Sequence, residues 1–156
     1  MDDGVGARLE RIGLRLPPPP APVGTYASVV VEGTLAWVSG QIVTRAGRAD
    51  PAGTVDREVD LSTARTVARD ATLQGLSALG AALGDVDRVR RIVRVGVFVA
   101  ASPGFDRTHE VANGATELLA ELFGPDVRPA RATVGVASLP LGAPVEVELL
   151  ASVGAR

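Results

Sequence analysis

The chain has 156 residues, a formal net charge of -2, 46% hydrophobic and 22% charged residues. That is enough for one domain with a full core, too apolar for a disordered chain, and not basic enough for a nucleic-acid binder that relies on a positive surface. With no cysteine, no lysine and one histidine, His109, the chain excludes disulfides, thiolate nucleophiles, Schiff-base chemistry, a P-loop lysine and a His-rich metal site.

Residues 1–21 are expected to form a leading segment. "GVGARLERIGLRL" can make a short amphipathic helix with Leu9, Ile12 and Leu16 on one side. The prolines from Pro17 then forbid its continuation and read as a stiff, extended strap. Residues 22–156 follow as a single domain. "TYASVVVEG" and "TLAWVSGQIV" predict two strands around Glu32 and Gly33, and the stretch after them is a polar loop.

From Leu61 the pattern becomes helical: Ser62 or Thr63 can cap the start, small residues from Ala64 to Ala82 form the packing stripe, and Gly84 stops it. "VRRIVRVGVFVA" predicts a strand with Val93, Val95, Val97 and Val99 on one face and Arg94, Gly96, Phe98 and Ala100 on the other. A second helix is expected from Arg107 to Phe123, with Val111, Ala115, Leu118, Leu119 and Leu122 inward. Two last strands, about Ala132 to Ser138 and Val145 to Ser152, are read as a hairpin around Leu141 and Gly142.

This order predicts an α+β sandwich, a mixed sheet with two helices on one face. The other face would hold Arg94, Gly96, Phe98, Arg131, Thr133, Gly135 and Glu146. That mixture suits neither water nor a dry core, so the expectation is a symmetric oligomer with clefts between copies, the alternative being a monomer whose second sheet face is simply wet. In the hairpin register Glu146 opposes Ala137, which puts Arg131 about 20 Å away along the strand. A site that used both groups would then need either neighbouring copies to supply them or strong coiling to shorten the gap. No segment has the length of uninterrupted apolar residues needed to span a membrane, and the acidic start lacks a signal-like apolar core, so a cytoplasmic protein is expected.

Four blocks in this order, "PVGTYASVV", "LAWVSGQI", "VANGATELLAELFG" and "RPARATVGVASLPLGAPVEVELLA", resemble the RidA (YjgF) family, from about Pro22 to Val153. Its founding members hydrolyse enamines and imines such as 2-aminoacrylate. The resemblance implies a chorismate-mutase-like homotrimer that needs no cofactor or metal and takes a small carboxylate-bearing metabolite. Family members have sometimes been called endoribonucleases, but an acidic chain with no lysine, one histidine and few aromatics gives little support for a nucleic-acid partner, and with no apolar span no membrane partner is expected.

Residue by residue, the resemblance makes Arg131 the carboxylate anchor and Glu146 the catalytic, water-positioning carboxylate. Tyr26 lines the pocket, Ser39 and Gly40 belong to the "SGQ" turn that holds the ligand, and Asn113 and Thr133 complete the substrate site. Thr133 stands where the family often has cysteine. The spacing from Asn113 to Arg131 is one residue longer than in the founding members. These departures and the proline strap place the chain in a divergent branch. Other readings are an enzyme recruited to a specialised metabolite pathway, or a non-catalytic trimer that binds a carboxylate metabolite.

Overall fold

The computed structural model describes residues 4–22 and 24–154; the acidic Met1–Asp3 start lies outside them. Its helical layer begins with α1, Val5–Arg11, which buries Val5 and Leu9. Gly13, at φ +72°, turns the chain away behind α1, so Ile12 is exposed rather than part of the buried stripe. The strap then follows the second helix, α2 (Leu61–Leu83), where the Ser77 hydroxyl donates to the Pro17 carbonyl at 2.6 Å.

The cap of α2 is Asp60, not Ser62 or Thr63: its carboxylate accepts from the Thr63 amide at 2.7 Å. Gly84, in the left-handed conformation, ends the helix as expected. The third helix, α3 (Thr108–Phe123), lies against α2 with Gly114 at the closest approach. A methyl group on Gly114 would collide with the Arg65 carbonyl. Arg65–Glu117 and Arg69–Glu121 ion pairs, at 2.7 and 3.0 Å, lace the outer edges of the two helices together. Helix α1 packs at the far end of α3, where the Arg8 guanidinium donates to the Leu122 carbonyl at 2.7 Å. Three helices therefore make this layer, not two.

Below them, β1 (Val29–Glu32), β2 (Leu35–Gln41), β5 (Val89–Ala100), β6 (Ala130–Val136) and β7 (Val145–Val153) form a sheet in the order β1-β2-β7-β5-β6. The predicted polar loop contains a minimal hairpin, β3 (Thr44–Arg45) with β4 (Arg48–Ala49). Only β5 and β6 run parallel, because α3 carries the chain back over the sheet between them. The expected hairpin of the last two strands does not form: β5 lies between β6 and β7, and the connection from Ala137 to Pro144 steps across its end.

The alternation in β5 is also broken twice, by register shifts against β7 between Val89 and Arg91 and between Ile92 and Arg94. The second shift puts Ile92 in the core and leaves Val93 half-buried. The core itself lies between the helices and one sheet face, with Val38, Val95, Val97, Val147 and Leu149 under Leu76, Leu79, Leu118 and Leu119. The opposite sheet face presents Trp37, Phe98, Val134 and Leu150 around the charged pair Arg94 and Glu148. Among the described residues no helix is long and apolar enough to cross a membrane.

Candidate functional site

On edge strand β6, Arg131 is in register with Val95 and Thr133 with Val97, both of which point into the core. Arg131 and Thr133 therefore project from the helix side of the sheet, as does Gly135 opposite Val99, and not from the open face predicted for them. Being on an edge, they escape burial: Val95 and Val97 are buried, whereas Thr133 is half-buried and Arg131 and Gly135 are exposed. Arg131 stands beside α3, where one guanidinium nitrogen donates to Asn113 Oδ1 at 2.8 Å and to Thr116 Oγ1 at 3.2 Å. Thr133 Oγ1 donates to the Thr108 carbonyl at 3.4 Å, at the start of the same helix.

Asn113 thus does reach Arg131 despite the longer spacing. Thr116 was not among the expected site residues, yet it sits three positions after Asn113, one helical turn on, and shares its face. Together they hold one side of a planar, permanently charged donor. This is the usual way a guanidinium is pre-oriented for a bidentate anion.

The second group of residues lies on the open face. Glu146 on β7 is half-buried and extends over Gly40 of β2, so closely that a methyl group there would overlap its carboxylate. A bulge between Val38 and Gln41 takes Ser39 and Gly40 out of the ladder with β7. They are therefore irregular strand residues rather than a turn. The Ser39 hydroxyl donates to the Ala27 carbonyl at 2.7 Å, next to the exposed Tyr26.

Burial, and then the charge of Glu148, raise the Glu146 pKa above the ordinary carboxylate value. Glu148 is engaged differently: it crosses Gly96 and pairs with Arg94 at 2.5 Å. Of the two carboxylates on this strand face, Glu146 is the one without such an ion pair among the described residues.

The expected site residues therefore form two groups. Arg131, Asn113 and Thr133 occupy the helix side of one sheet edge; Ser39, Gly40 and Glu146 lie together where β2 meets β7, with the exposed Tyr26 next to the Ala27 that Ser39 contacts. Glu146 is in register with Phe98, three residues along β5 from Val95, and β5 separates the two strands. The Arg131 and Glu146 backbones are thus roughly 10 Å apart along the strands and about 10 Å across them, on opposite faces. One small molecule cannot touch both within one chain. The separation first inferred from a hairpin has a different cause, the intervening strand. Among the described residues no cluster of three or more His, Asp or Glu side chains could hold a metal ion.

Comparison with known proteins agrees with this architecture. The profile of the family described as Endoribonuclease L-PSP matches residues 18–153. Protein TCP17 of Trypanosoma cruzi is 43% identical over 147 residues, 94% of this chain and 92% of the relative. Among solved structures, the Agrobacterium tumefaciens protein Atu1372, described as of unknown function, is 36% identical with a TM-score of 0.84, over 97% of this chain and 92% of that one. A putative endoribonuclease from Shewanella oneidensis is 26% identical with a TM-score of 0.90, over 97% of this chain and all of the other.

Proposed function

Because the chain belongs to the Endoribonuclease L-PSP family, also called YjgF/RidA, we propose that it hydrolyses reactive 2-enamine and 2-imine acids to 2-keto acids and ammonia. The site is formed between copies of a homotrimer. The observation that carries this reading is the pairing of a pre-oriented Arg131 on an edge strand with a half-buried Glu146 on the opposite sheet face. A rotation that brings the open face of one copy against the β6 edge of the next completes the constellation. It also covers Trp37 and Val134, which are 44% and 47% exposed in the single chain.

In such a site Arg131 binds the substrate carboxylate and fixes the C=N carbon near the carboxylate of the neighbouring copy's Glu146. Glu146 accepts a proton from a water whose oxygen adds to that carbon, giving a carbinolamine. The proton passes to the amine nitrogen, the C–N bond breaks, ammonia leaves and the C=O forms. Starting from the protonated imine, one water is consumed, the proton of the carbinolamine hydroxyl leaves with the ammonia, and one ammonium is released, with no change of oxidation state. Imines of this kind hydrolyse readily, so positioning and proton transfer supply enough assistance.

RNA cleavage, suggested by the family's name, finds less support: the chain carries net negative charge, has no lysine, and its one histidine is exposed at the start of α3. The test generates imino acids with an amino-acid oxidase in the presence of semicarbazide. The reading predicts that the protein diverts them from semicarbazone to keto acid; no diversion across small, branched and aromatic side chains contradicts it.

A further inference from the structure

Beside Arg131 the surface opens into a groove of about 450 Å³ between the second half of α3 and the segment that leads into β6. Its walls are carbon: Ala120 on the helix, and Pro125, Val127 and Pro129 on the segment. The charged side chains at its rim are committed elsewhere. Both Glu117 oxygens accept from the Arg65 guanidinium, at 2.7 and 2.8 Å, and Arg128 Nε donates to the Pro125 carbonyl at 3.0 Å. The segment is also held in place, by Val127 N to Gly124 O at 3.1 Å and by Arg91 Nη2 to the Arg128 carbonyl at 3.3 Å. The groove is thus a built feature with the Arg131 guanidinium in its lining beside an apolar wall.

Building on the reading that Arg131 anchors the substrate carboxylate, we propose that this groove receives the substrate's side chain and selects bulky apolar 2-imino acids over the smallest ones. A carboxylate on the outer nitrogens of Arg131 sits beside these apolar walls. A methyl side chain would leave almost all of the volume to water, whereas a branched or aromatic chain displaces that water from Ala120, Val127 and the two prolines. Glu117, the one acid in the groove's lining, is paired with Arg65, so no unpaired acid there recognises a cationic chain. Each methylene that is buried multiplies affinity by about four. With the groove open on one side, three extra carbons are worth roughly a tenfold preference.

The keto-acid products are stable and carry the same carboxylate and side chain, so the test is a calorimetric or NMR titration of the full chain with pyruvate and with 4-methyl-2-oxopentanoate. The branched acid is expected to bind about tenfold more tightly. Ala120→Trp, which fills the groove, should collapse the ratio towards one. Val127→Asn, at a half-buried position on the segment, should lower it without crowding the helix, so a misfolded Ala120 variant does not decide the matter. Equal binding of the two acids to the wild type, unchanged in these variants, overturns the groove assignment while leaving the Arg131 anchor intact. So does a preference for 5-guanidino-2-oxopentanoate. If Arg131→Ala binds both acids as the wild type does, the anchor itself fails and the groove assignment with it.

Discussion

Arg131 and Glu146 lie on opposite faces of the same sheet with β5 between their strands. The separation follows from topology rather than from side-chain rotamers, so no local rearrangement within one chain closes it. A site that uses both groups needs two chains.

The guanidinium of Arg131 is aimed by Asn113 and Thr116. Losing a hydrogen bond to a charged group typically costs about 1.5–3 kcal/mol, so Arg131→Ala should lower kcat/KM for imine hydrolysis by roughly ten- to a hundredfold. Asn113→Ala and Thr116→Val leave the charge in place and only release it, so their losses should be smaller and fall mainly on KM. A trap assay with varied substrate concentration separates the two patterns.

Glu146 must be ionised to accept a proton from water. Its pKa is raised by burial first and by Glu148 second, so activity should rise with pH through a midpoint above the ordinary glutamate value of about 4.3. Glu148→Gln removes the like charge and frees Arg94, and both changes move that midpoint down. Glu146→Gln should abolish the acid limb along with most of the activity. A kcat/KM profile against pH for the three proteins checks the sign.

Much of this arrangement is legible in the sequence, and the errors have physical causes. The spacing of Asn113 and Thr116 places both on one turn of α3, and the period-two alternation of β7 correctly joins Glu146 and Glu148 on one face. Alternation says which residues share a face but not which face the helices cover. On an edge strand such as β6 both faces are partly wet, so Arg131 and Thr133 offered no hydrophobic contrast to orient them. The turn-rich "LPLGAP" suits a hairpin locally, yet the pairing partner of β6 is chosen by the crossover through α3 and not by the turn. The bulge that buries Ile92 depends on its neighbouring strand and has no signature in a run of valine and arginine.

Gly114 lets α2 and α3 approach within backbone contact. Gly114→Ala improves helix propensity but forces a methyl against the Arg65 carbonyl, and overpacking of this kind costs about 1–3 kcal/mol. The melting temperature should fall by several degrees. A rise would mean that the two helices separate at no cost.

Asp60 caps α2, and hydrogen bonding from the Thr63 amide is the main cause of its lowered pKa. A folded-state pKa below the unfolded value contributes stability above the unfolded pKa of about 3.9 and loses it as pH falls through the folded one. Asp60→Ala should therefore melt lower than the wild type at neutral pH, and the difference should shrink as the solution is acidified below the aspartate range. Thermal scans at a series of pH values show whether it does.

The most direct test of a site shared between chains is complementation. Arg131→Ala and Glu146→Gln chains, each nearly inactive alone, are co-expressed in equal amounts and purified together without separating the mixed oligomers from the unmixed. In a closed ring in which each site takes its arginine from one copy and its glutamate from the next, random equal mixing leaves about one site in four intact. The account predicts that roughly a quarter of wild-type imine hydrolysis returns. Mixed oligomers no more active than the separate variants would contradict it, because a site contained within one chain cannot be repaired by its neighbour.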